Sequence, residues 1–269
     1  MRLLFLLLAC VLTHTAAFSQ SITERDFKKH FDAYGLRGSF LVFDVQAKSY
    51  TAYDVKRCRQ GFLPASTFKI PNTLIGLETG VIKDTSQVMK WDGVKRGFPQ
   101  WNQDLTLANA LRVSCVPCYQ QVARGVGTKR YNDWLPKLKF GKMVVTEATV
   151  DTFWLTGTSR ITQFEQIDFL RRLYADKLPV SVQNQRITKQ LLLQKKTPTY
   201  QLHGKSGWTS QDRLHNNGWF VGWVQRTDGR VYFFALNAEP EPGQPADDKF
   251  VSGRRAITEK ILAELSITD

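Results

Sequence analysis

Metal-ligating residues are scarce in this 269-residue sequence, which contains only four cysteines and four histidines. A structural zinc site takes about four Cys or His ligands at close spacing. Cys115 and Cys118 have the spacing of a redox pair or of half a zinc site, but no second pair accompanies them. We therefore predict no metal. We interpret Cys58, Cys115 and Cys118 as small buried hydrophobic residues. One disulfide among them stays an open alternative, because export would permit it.

Long apolar runs are also absent, apart from one at the N-terminus. Residues 3–12 are almost continuously apolar, and they follow Met1-Arg2, a minimal positively charged start. A run of about ten residues is shorter than the ~18 that span a bilayer, but it suits a secretory signal. Small and polar residues follow, with cleavage expected after Ala17 or Ser19.

This pattern divides the chain into two parts. We expect residues 1–19 to be a signal peptide and residues 20–269 to form an exported domain with no membrane anchor. The segment Leu7-Leu8-Ala9-Cys10 faintly resembles a lipoprotein cleavage box, so a lipid anchor is the alternative.

Acidic residues are outnumbered, since 24 Asp and Glu face 37 Lys and Arg for a formal net charge of +13. Such an excess raises the question of an anionic partner. The basic doublets are spread along the chain, however, and no zinc-finger spacing, RNA-binding signature or low-complexity arm accompanies them. We therefore expect a solvated basic surface and no nucleic-acid partner. Steering of a small anionic substrate is an additional effect that this charge would allow.

What is present is a globular composition, with strand-like runs near both ends of the chain and helical patterning between them. The predicted strands are residues 38–44, 49–54, 199–206, 218–225 and 230–237. The predicted helices are residues 23–34, 65–79, 106–125, 162–175 and 252–265, within a mostly helical stretch at 64–195. This order predicts an α/β fold of the α+β type. Its antiparallel sheet has five or more strands and is flanked by the terminal helices, and a mostly helical lobe leaves a cleft beside it.

The first candidate catalytic residues open a predicted helix. Ser66 and Lys69 stand three residues apart, so their side chains share a helix face. A serine hydroxyl is a poor nucleophile unless a base takes its proton. A lysine amine can serve only if burial or positive neighbours lower its pKa from about 10.4 towards neutrality. Alone, this pattern is expected about once by chance in a chain of this length.

Two further motifs accompany it. Ser114 lies at or near the start of a helix in the middle lobe, and Lys205-Ser206-Gly207 ends a predicted strand before Trp208. A lysine there can hold a carboxylate, a hydroxyl can add a hydrogen bond, and a glycine lets a substrate lie against the strand edge. Together the three motifs form the constellation of serine acyltransferases that react with penicillins.

The sequence resembles the class D serine β-lactamases, or oxacillinases, over essentially the whole mature chain. The motifs that carry the resemblance are Pro64-Ala-Ser-Thr-Phe-Lys-Ile-Pro-Asn72, Trp91-Asp-Gly93, Ser114-Cys-Val-Pro-Cys-Tyr-Gln-Gln121, Phe153-Trp-Leu155, Lys205-Ser-Gly207 and Trp219-Phe-Val-Gly-Trp223. The resemblance implies a β-lactamase/DD-peptidase-like fold and hydrolysis of β-lactam antibiotics, with no cofactor besides CO₂ or bicarbonate.

The resemblance also implies roles for individual residues. Ser66 would be the acylated nucleophile, and Lys69 would carry a CO₂-derived carbamate that serves as general base in both acylation and deacylation. Trp154 would hydrogen-bond to that carbamate and shield it.

The remaining residues would bind the substrate. Ser114 and Lys205 would handle leaving-group proton transfer and the substrate carboxylate, with Ser206 and Gly207 beside them. The backbone N–H groups of Ser66 and Trp208 would form the oxyanion hole. Arg254 would be a second carboxylate-binding cation.

Val116 supports a carbamate on Lys69 independently of the family resemblance. Many related acyltransferases have asparagine at this place, and an apolar neighbour raises the cost of charging Lys69. Phe68, Trp154 and Leu155 could dry the amine further, and a neutral amine is the form that reacts with CO₂. Plain core packing is the competing interpretation of these apolar residues.

Two motifs depart from the family pattern. Phe140-Gly141-Lys142 replaces an aromatic-Gly-Asn triplet, which puts that motif's supporting role in doubt. Lys-Ser-Gly replaces Lys-Thr-Gly, which keeps the hydroxyl and loses only a methyl group.

Two alternative functions share the acylation chemistry. A D-alanyl-D-alanine peptidase or transpeptidase would deacylate β-lactams poorly, and a β-lactam sensor would need a transmembrane relay that we do not expect here. The resemblance places the protein in the periplasm after signal cleavage. Substrate preference, which depends on loops around Trp101, Lys142 and Ser210, and oligomeric state, including a homodimer, stay open.

Overall fold

The fold is described from a computed structural model that covers residues 20–210, 212 and 214–269. The predicted signal peptide at residues 1–19 lies outside the described residues. Among the described helices, none is long and apolar enough to cross a membrane.

Among the described residues, seven strands form one sheet and two short strands form another. The strands are β1 Ile22–Glu24, β2 Leu36–Asp44, β3 Ser49–Tyr53, β4 Val88–Met89, β5 Leu105–Thr106, β6 Leu193–Lys196, β7 Tyr200–Ser210, β8 Asn216–Arg226 and β9 Val231–Pro240. The large sheet has the order β1-β3-β2-β9-β8-β7-β6, and β4 pairs with β5. All neighbours in the large sheet are antiparallel except β1 and β3. The predicted antiparallel sheet of five or more strands is therefore confirmed.

Helices cover both faces of the sheet. They are α1 Lys28–Asp32, α2 Val55–Cys58, α3 Lys69–Glu78, α4 Leu107–Arg112, α5 Val116–Leu138, α6 Gln163–Tyr174, α7 Val182–Leu191 and α8 Asp248–Glu264. Short 3₁₀ helices occur at Ala65–Phe68, Pro99–Trp101 and Glu147–Thr149. One buried cluster joins the sheet to the helical lobe through side chains such as Leu41, Phe68 and Trp154. A second lies between the opposite face and the terminal helices, around Phe31 and Ile257.

The three longest predicted strands, which correspond to β7, β8 and β9, are longer in the structure than expected, and some helix boundaries are wrong. Residue 23, expected in a helix, belongs to β1, because Thr23 is β-branched and pairs with Thr51 along the otherwise open edge of β3. The C-terminal helix begins at Asp248, four residues before the expected start, because the Asp247 side chain accepts a hydrogen bond from the Phe250 N–H.

The predicted helix at 106–125 is two helices. The helix is interrupted between Arg112 and Val116, where the Ser114 φ of 56° lies in the left-handed region. Pro117 stands in the first turn of α5, where its missing N–H is tolerated, but in a continuous helix it would remove a hydrogen bond. The break turns Ser114 towards the sheet instead of along a helix surface.

Strand β6 was also missed, because the helical patterning was extended to residue 195. All four of its residues are exposed, and its two lysines are typical of a strand that closes a sheet edge.

Candidate active site

Ser66 lies in the 3₁₀ helix that precedes α3 and is only 5% exposed. The preceding Ala65 adopts a φ of 51°, a conformation that costs energy for a non-glycine residue and is typical of functional sites. The N–H of Ala65 donates to the Trp154 carbonyl at 2.8 Å. Thr67 accepts a hydrogen bond from Gln166 on α6 at 2.8 Å. The turn that carries Ser66 is therefore fixed on both sides.

Lys69 begins α3 and is completely buried. Its Nζ donates to the Ser66 Oγ at 2.8 Å and lies 5.3 Å from the centre of the Tyr119 ring. Burial, and then the charge of Lys205, hold the pKa of Lys69 well below its usual value of 10.5. No acidic side chain of the described chain pairs with it. Burial therefore favours the neutral form of the Lys69 amine, which contacts a serine hydroxyl.

Ser114 and Lys205 meet across the cleft. The Lys205 Nζ donates to the Ser114 Oγ at 3.0 Å and to the Ser206 carbonyl at 2.8 Å. Lys205 is 4% exposed, and burial together with the Arg254 charge lowers its pKa to about 7. The three motifs identified in the sequence therefore converge, with a hydroxyl–amine pair on each side of the cleft.

Arg254, on α8, is the second buried cation of the site. Its guanidinium donates to the carbonyls of Gly207, Phe250 and Val251. Burial lowers its pKa to about 10, so it stays charged at neutral pH. Neither Arg254 nor Lys205 forms an ion pair with an acid within the described ranges. Two buried cations without a carboxylate between them favour binding of an anion from outside.

Gly207 allows strand β7 to approach the nucleophile. A Cβ at this position would lie 3.2 Å from Thr67 Cγ2 and 3.3 Å from Ala65 Cβ. These contacts are tight, so a larger residue would push the strand away from the Ser66 turn.

The edge of β7 beside Ser66 is open. The N–H of Gly204 donates to the Leu192 carbonyl, away from β8. Backbone groups alternate in direction along a strand, so the N–H of Trp208, four residues later, points to the same side. Trp208 itself is anchored by its indole N–H, which donates to Asn216 at 3.0 Å.

Trp154 lies in the turns between the 3₁₀ helix Glu147–Thr149 and α6, and is completely buried. Its ring stacks on Phe68 with 5.3 Å between centroids. Its Nε1 has no hydrogen-bond partner among the described residues. A buried indole N–H without an acceptor is costly, so the site is suited to a group that accepts this hydrogen bond.

Val116 opens α5, is half-buried and lines the same cleft as Ser66. It presents an apolar surface where a polar side chain could otherwise solvate an ammonium group. Tyr119, one turn further along α5, donates to or accepts from Thr73 on α3 at 2.8 Å. Tyr119 is not among the predicted site residues, although its spacing of three residues from Val116 places both on one helix face.

Cys115 and Cys118 form a disulfide beside Ser114 and Val116, whereas Cys58 is a buried free thiol. All three cysteines are buried, as the sequence predicts, and the disulfide that the sequence left open is present between Cys115 and Cys118. Cys115 also caps α5 by accepting from the Cys118 N–H. Within the described part of the chain, no group of three or more His, Cys, Asp or Glu residues could hold a metal ion.

The Phe140-Gly141-Lys142 triplet supports the site from beneath. Phe140 is buried, and its ring packs edge-on against Phe68 with 6.0 Å between the ring centroids. Gly141 has a positive φ of 58° and passes close to the Arg160 backbone, while Lys142 exchanges backbone hydrogen bonds with Arg160. The backbone role of the third position does not depend on its side chain, so lysine is accommodated here.

A cleft of about 340 Å³ opens over Ser66. Its lining consists of Ser66, Phe98, Gln100, Trp101, Val113, Ser114, Val116, Ser206, Gly207, Trp208, Thr209, Ser210, Val251 and Arg254. Lys69 and Lys205 lie beneath this surface. The described lining contains no carboxylate, one guanidinium and several aromatic and aliphatic groups, which suits a small anionic ligand with an apolar part.

The fold and this site together define a serine acyl-transfer protein of the penicillin-binding kind, and a model of the penicillin binding protein transpeptidase domain matches residues 24–263. Beta-lactamase OXA-10 of Pseudomonas aeruginosa is 42% identical over 261 residues, which cover 96% of this chain and 95% of that protein. Beta-lactamase OXA-48 of Klebsiella pneumoniae is 38% identical and covers 97% of this chain and 96% of its own. The crystal structure of the class D β-lactamase YbXI from Nostoc has a TM-score of 0.84 at 37% identity, covering 90% of this chain and 99% of that one.

The chain belongs to the class D β-lactamases. The resemblance identified from the sequence motifs is thereby confirmed, as are the fold class and the class of enzyme.

Proposed function

We propose that this protein hydrolyses β-lactam antibiotics through an acyl-enzyme on Ser66, with a CO₂-derived carboxylate on Lys69 as general base. The observation that carries the proposal is the buried Lys69 amine, 2.8 Å from the Ser66 hydroxyl and without an acidic partner in the described residues. Beta-lactamases with 35–42% identity over nearly the full length support the substrate class.

The residues around Lys69 fit such a modification. Neutral Nζ carries the lone pair that would bond to the carbon of CO₂, releasing one proton to solvent. The unpartnered Trp154 Nε1 provides a donor for the new carboxylate, and the rings of Phe68 and Tyr119 exclude water. The carboxylate on Lys69 accepts the proton of Ser66 during acylation and a proton of water during deacylation, so one base serves both halves of the reaction.

The two buried amines have different roles in acylation: the group at position 69 accepts a proton, and Lys205 supplies one with Ser114. Ser66 Oγ attacks the lactam carbonyl carbon, loses its proton to the base at position 69, and the carbon–nitrogen bond of the ring breaks. The Ser114–Lys205 pair, joined at 3.0 Å, delivers a proton to the departing ring nitrogen. The Trp208 N–H, on the open edge of β7, and the Ser66 N–H donate to the developing oxyanion.

Substrate binding relies on Lys205, Ser206 and Arg254, which present two buried cations and a hydroxyl to the ring carboxylate. Before deacylation, position 69 releases its proton to solvent and the Ser114–Lys205 pair takes one up, so that both groups are reset. Water then attacks the ester carbon and gives a proton to position 69, which passes it to Ser66 Oγ as the ester carbon–oxygen bond breaks. Val116 and Trp154 keep the base dry and in place for this second step. A D-alanyl-D-alanine peptidase or a sensor would lack such efficient deacylation.

The test is turnover of a chromogenic cephalosporin by the purified protein, with and without added bicarbonate. We expect many turnovers per enzyme and a higher rate with bicarbonate. A single stoichiometric burst that leaves a stable adduct would contradict hydrolysis and favour the peptidase or sensor. Ser66→Ala is the matched control and removes the nucleophile while leaving the fold unchanged.

The pKa of Lys205 predicts an alkaline limit to the reaction. Because burial lowers that pKa to about 7, the ammonium loses its charge as pH rises, and carboxylate binding weakens. We expect kcat/KM for a penicillin to fall above about pH 7. In Lys205→Arg the side chain stays charged, so the decline should move to higher pH. An identical pH profile in both proteins would remove Lys205 from carboxylate binding.

We further propose that residues 1–19 direct export to the periplasm and that residues 20–269 form the mature domain. A homodimer stays an open prediction.

A further inference from the structure

A second cleft of about 420 Å³ continues from the site along the open edge of β7. It shares Ser206, Val251 and Arg254 with the first cleft, and Lys205 is part of its wall. Ser66 lines only the first cleft. Seen from Ser66, the second cleft therefore lies on the far side of the cations that we assign to the ring carboxylate.

Its shape follows from the short length of β6. The edge strand pairs with β7 only up to Leu193 and His203, so within the described residues the edge of β7 that faces away from β8 has no strand partner from Lys205 onwards. Gln194 at the start of β6, Arg112 at the end of α4 and Arg255 on α8 border the gap.

The second cleft is strongly basic. Arg112, Lys205, Arg254 and Arg255 line it, and Glu259 is the only carboxylate in its described lining. That carboxylate is already paired with Arg255 at 2.6 Å. Arg112 is exposed, and its guanidinium donates a 3.3 Å hydrogen bond to the Asn109 side chain and forms no ion pair within the described residues. A guanidinium at the rim therefore has no acidic partner in the described part of the chain.

We propose that this second cleft binds an anionic group on the substituent next to the ring carboxylate of a β-lactam, with Arg112 as its main contact. In a cephalosporin, the 3-substituent is attached to the carbon beside the one that bears the carboxylate. With the carboxylate on Lys205 and Arg254, that substituent points beyond these cations into the second cleft. The inference rests on the proposed function and adds a preference for dianionic substrates.

The test uses two cephalosporins that differ only at the end of a carbon-linked 3-substituent, a carboxylate in one and a primary amide in the other. We expect the wild-type protein to have a kcat/KM about two- to fivefold higher for the acid, as for one partly exposed ion pair. Arg112→Gln should bring the ratio close to one, and Arg112→Lys should restore part of it. High salt should reduce the wild-type ratio, because exposed charges are screened.

Lys196→Gln is the matched control, because it removes one positive charge from exposed strand β6 outside the cleft lining. It should leave the ratio unchanged. A wild-type ratio of one, or an equal loss in Lys196→Gln and Arg112→Gln, would overturn the subsite while the hydrolysis of both compounds upholds the proposed function. If the wild-type protein hydrolyses neither compound, both the proposed function and the subsite are overturned.

Discussion

Replacing Lys69 with alanine should lower kcat for a β-lactam by about four orders of magnitude, the upper range for loss of a general base. The residue is buried in contact with Ser66, and no other titratable side chain of the described chain hydrogen-bonds to that hydroxyl. Without the amine, neither Ser66 nor the hydrolytic water has a base. Any acyl-enzyme that forms slowly should therefore persist.

The measurement combines steady-state turnover with intact-protein mass after exposure to penicillin. We expect one bound substrate per chain and no measurable release. Lys129→Ala is the matched control, because that side chain is exposed and its one ion pair in the described part of the chain is with Asp133. Thermal unfolding should show that the Lys69→Ala fold survives, because the substitution also removes a buried amine that is costly to charge. Turnover within tenfold of wild type would exclude Lys69 from the mechanism.

Replacing Trp154 with phenylalanine should make activity depend strongly on bicarbonate. The substitution keeps an aromatic ring against Phe68 but removes the Nε1–H that lacks a partner in the described residues. A hydrogen bond to a charged group is worth about 1.5–3 kcal/mol, so the bicarbonate concentration for half-maximal activity should rise by about tenfold or more. At saturating bicarbonate much of the rate should return.

The chain offers a matched control for this substitution. Trp223 is also buried with an unpartnered Nε1 among the described residues, but it stacks on His203 on the far part of the sheet. Trp223→Phe should therefore leave the bicarbonate response unchanged. An equal response in both variants, or no change in Trp154→Phe, would mean that the Trp154 N–H does not hold the modified lysine.

Much of the fold could be predicted from local patterns. Short runs rich in apolar, β-branched and aromatic residues in β2, β3, β8 and β9 predict the sheet, and the Thr162–Glu165 capping box marks the start of α6. Strand β1 and the break at Ser114 could not be predicted. The first is stabilised by pairing with β3, and the second depends on a left-handed conformation imposed by packing.

Part of the site could likewise be predicted from local patterns, and part depends on the fold. Serine–lysine spacing and the Lys-Ser-Gly motif identify which residues carry charge and hydroxyls. The burial of Lys69, the lack of an acidic partner for Lys205 and Arg254, and the unpartnered Trp154 Nε1 depend on residues far apart in sequence. Arg112 was not singled out, because only the fold brings the end of α4 to the open edge of β7.

The central claim is that the buried amine at position 69 captures CO₂. Carbon-13 NMR of the protein in ¹³C-bicarbonate tests it most directly, because a lysine carbamate gives a resonance distinct from free bicarbonate and CO₂. We predict one such signal per chain in the wild-type protein, absent in Lys69→Ala and lost in parallel with activity when bicarbonate is removed. Full activity without this signal would contradict the proposed mechanism.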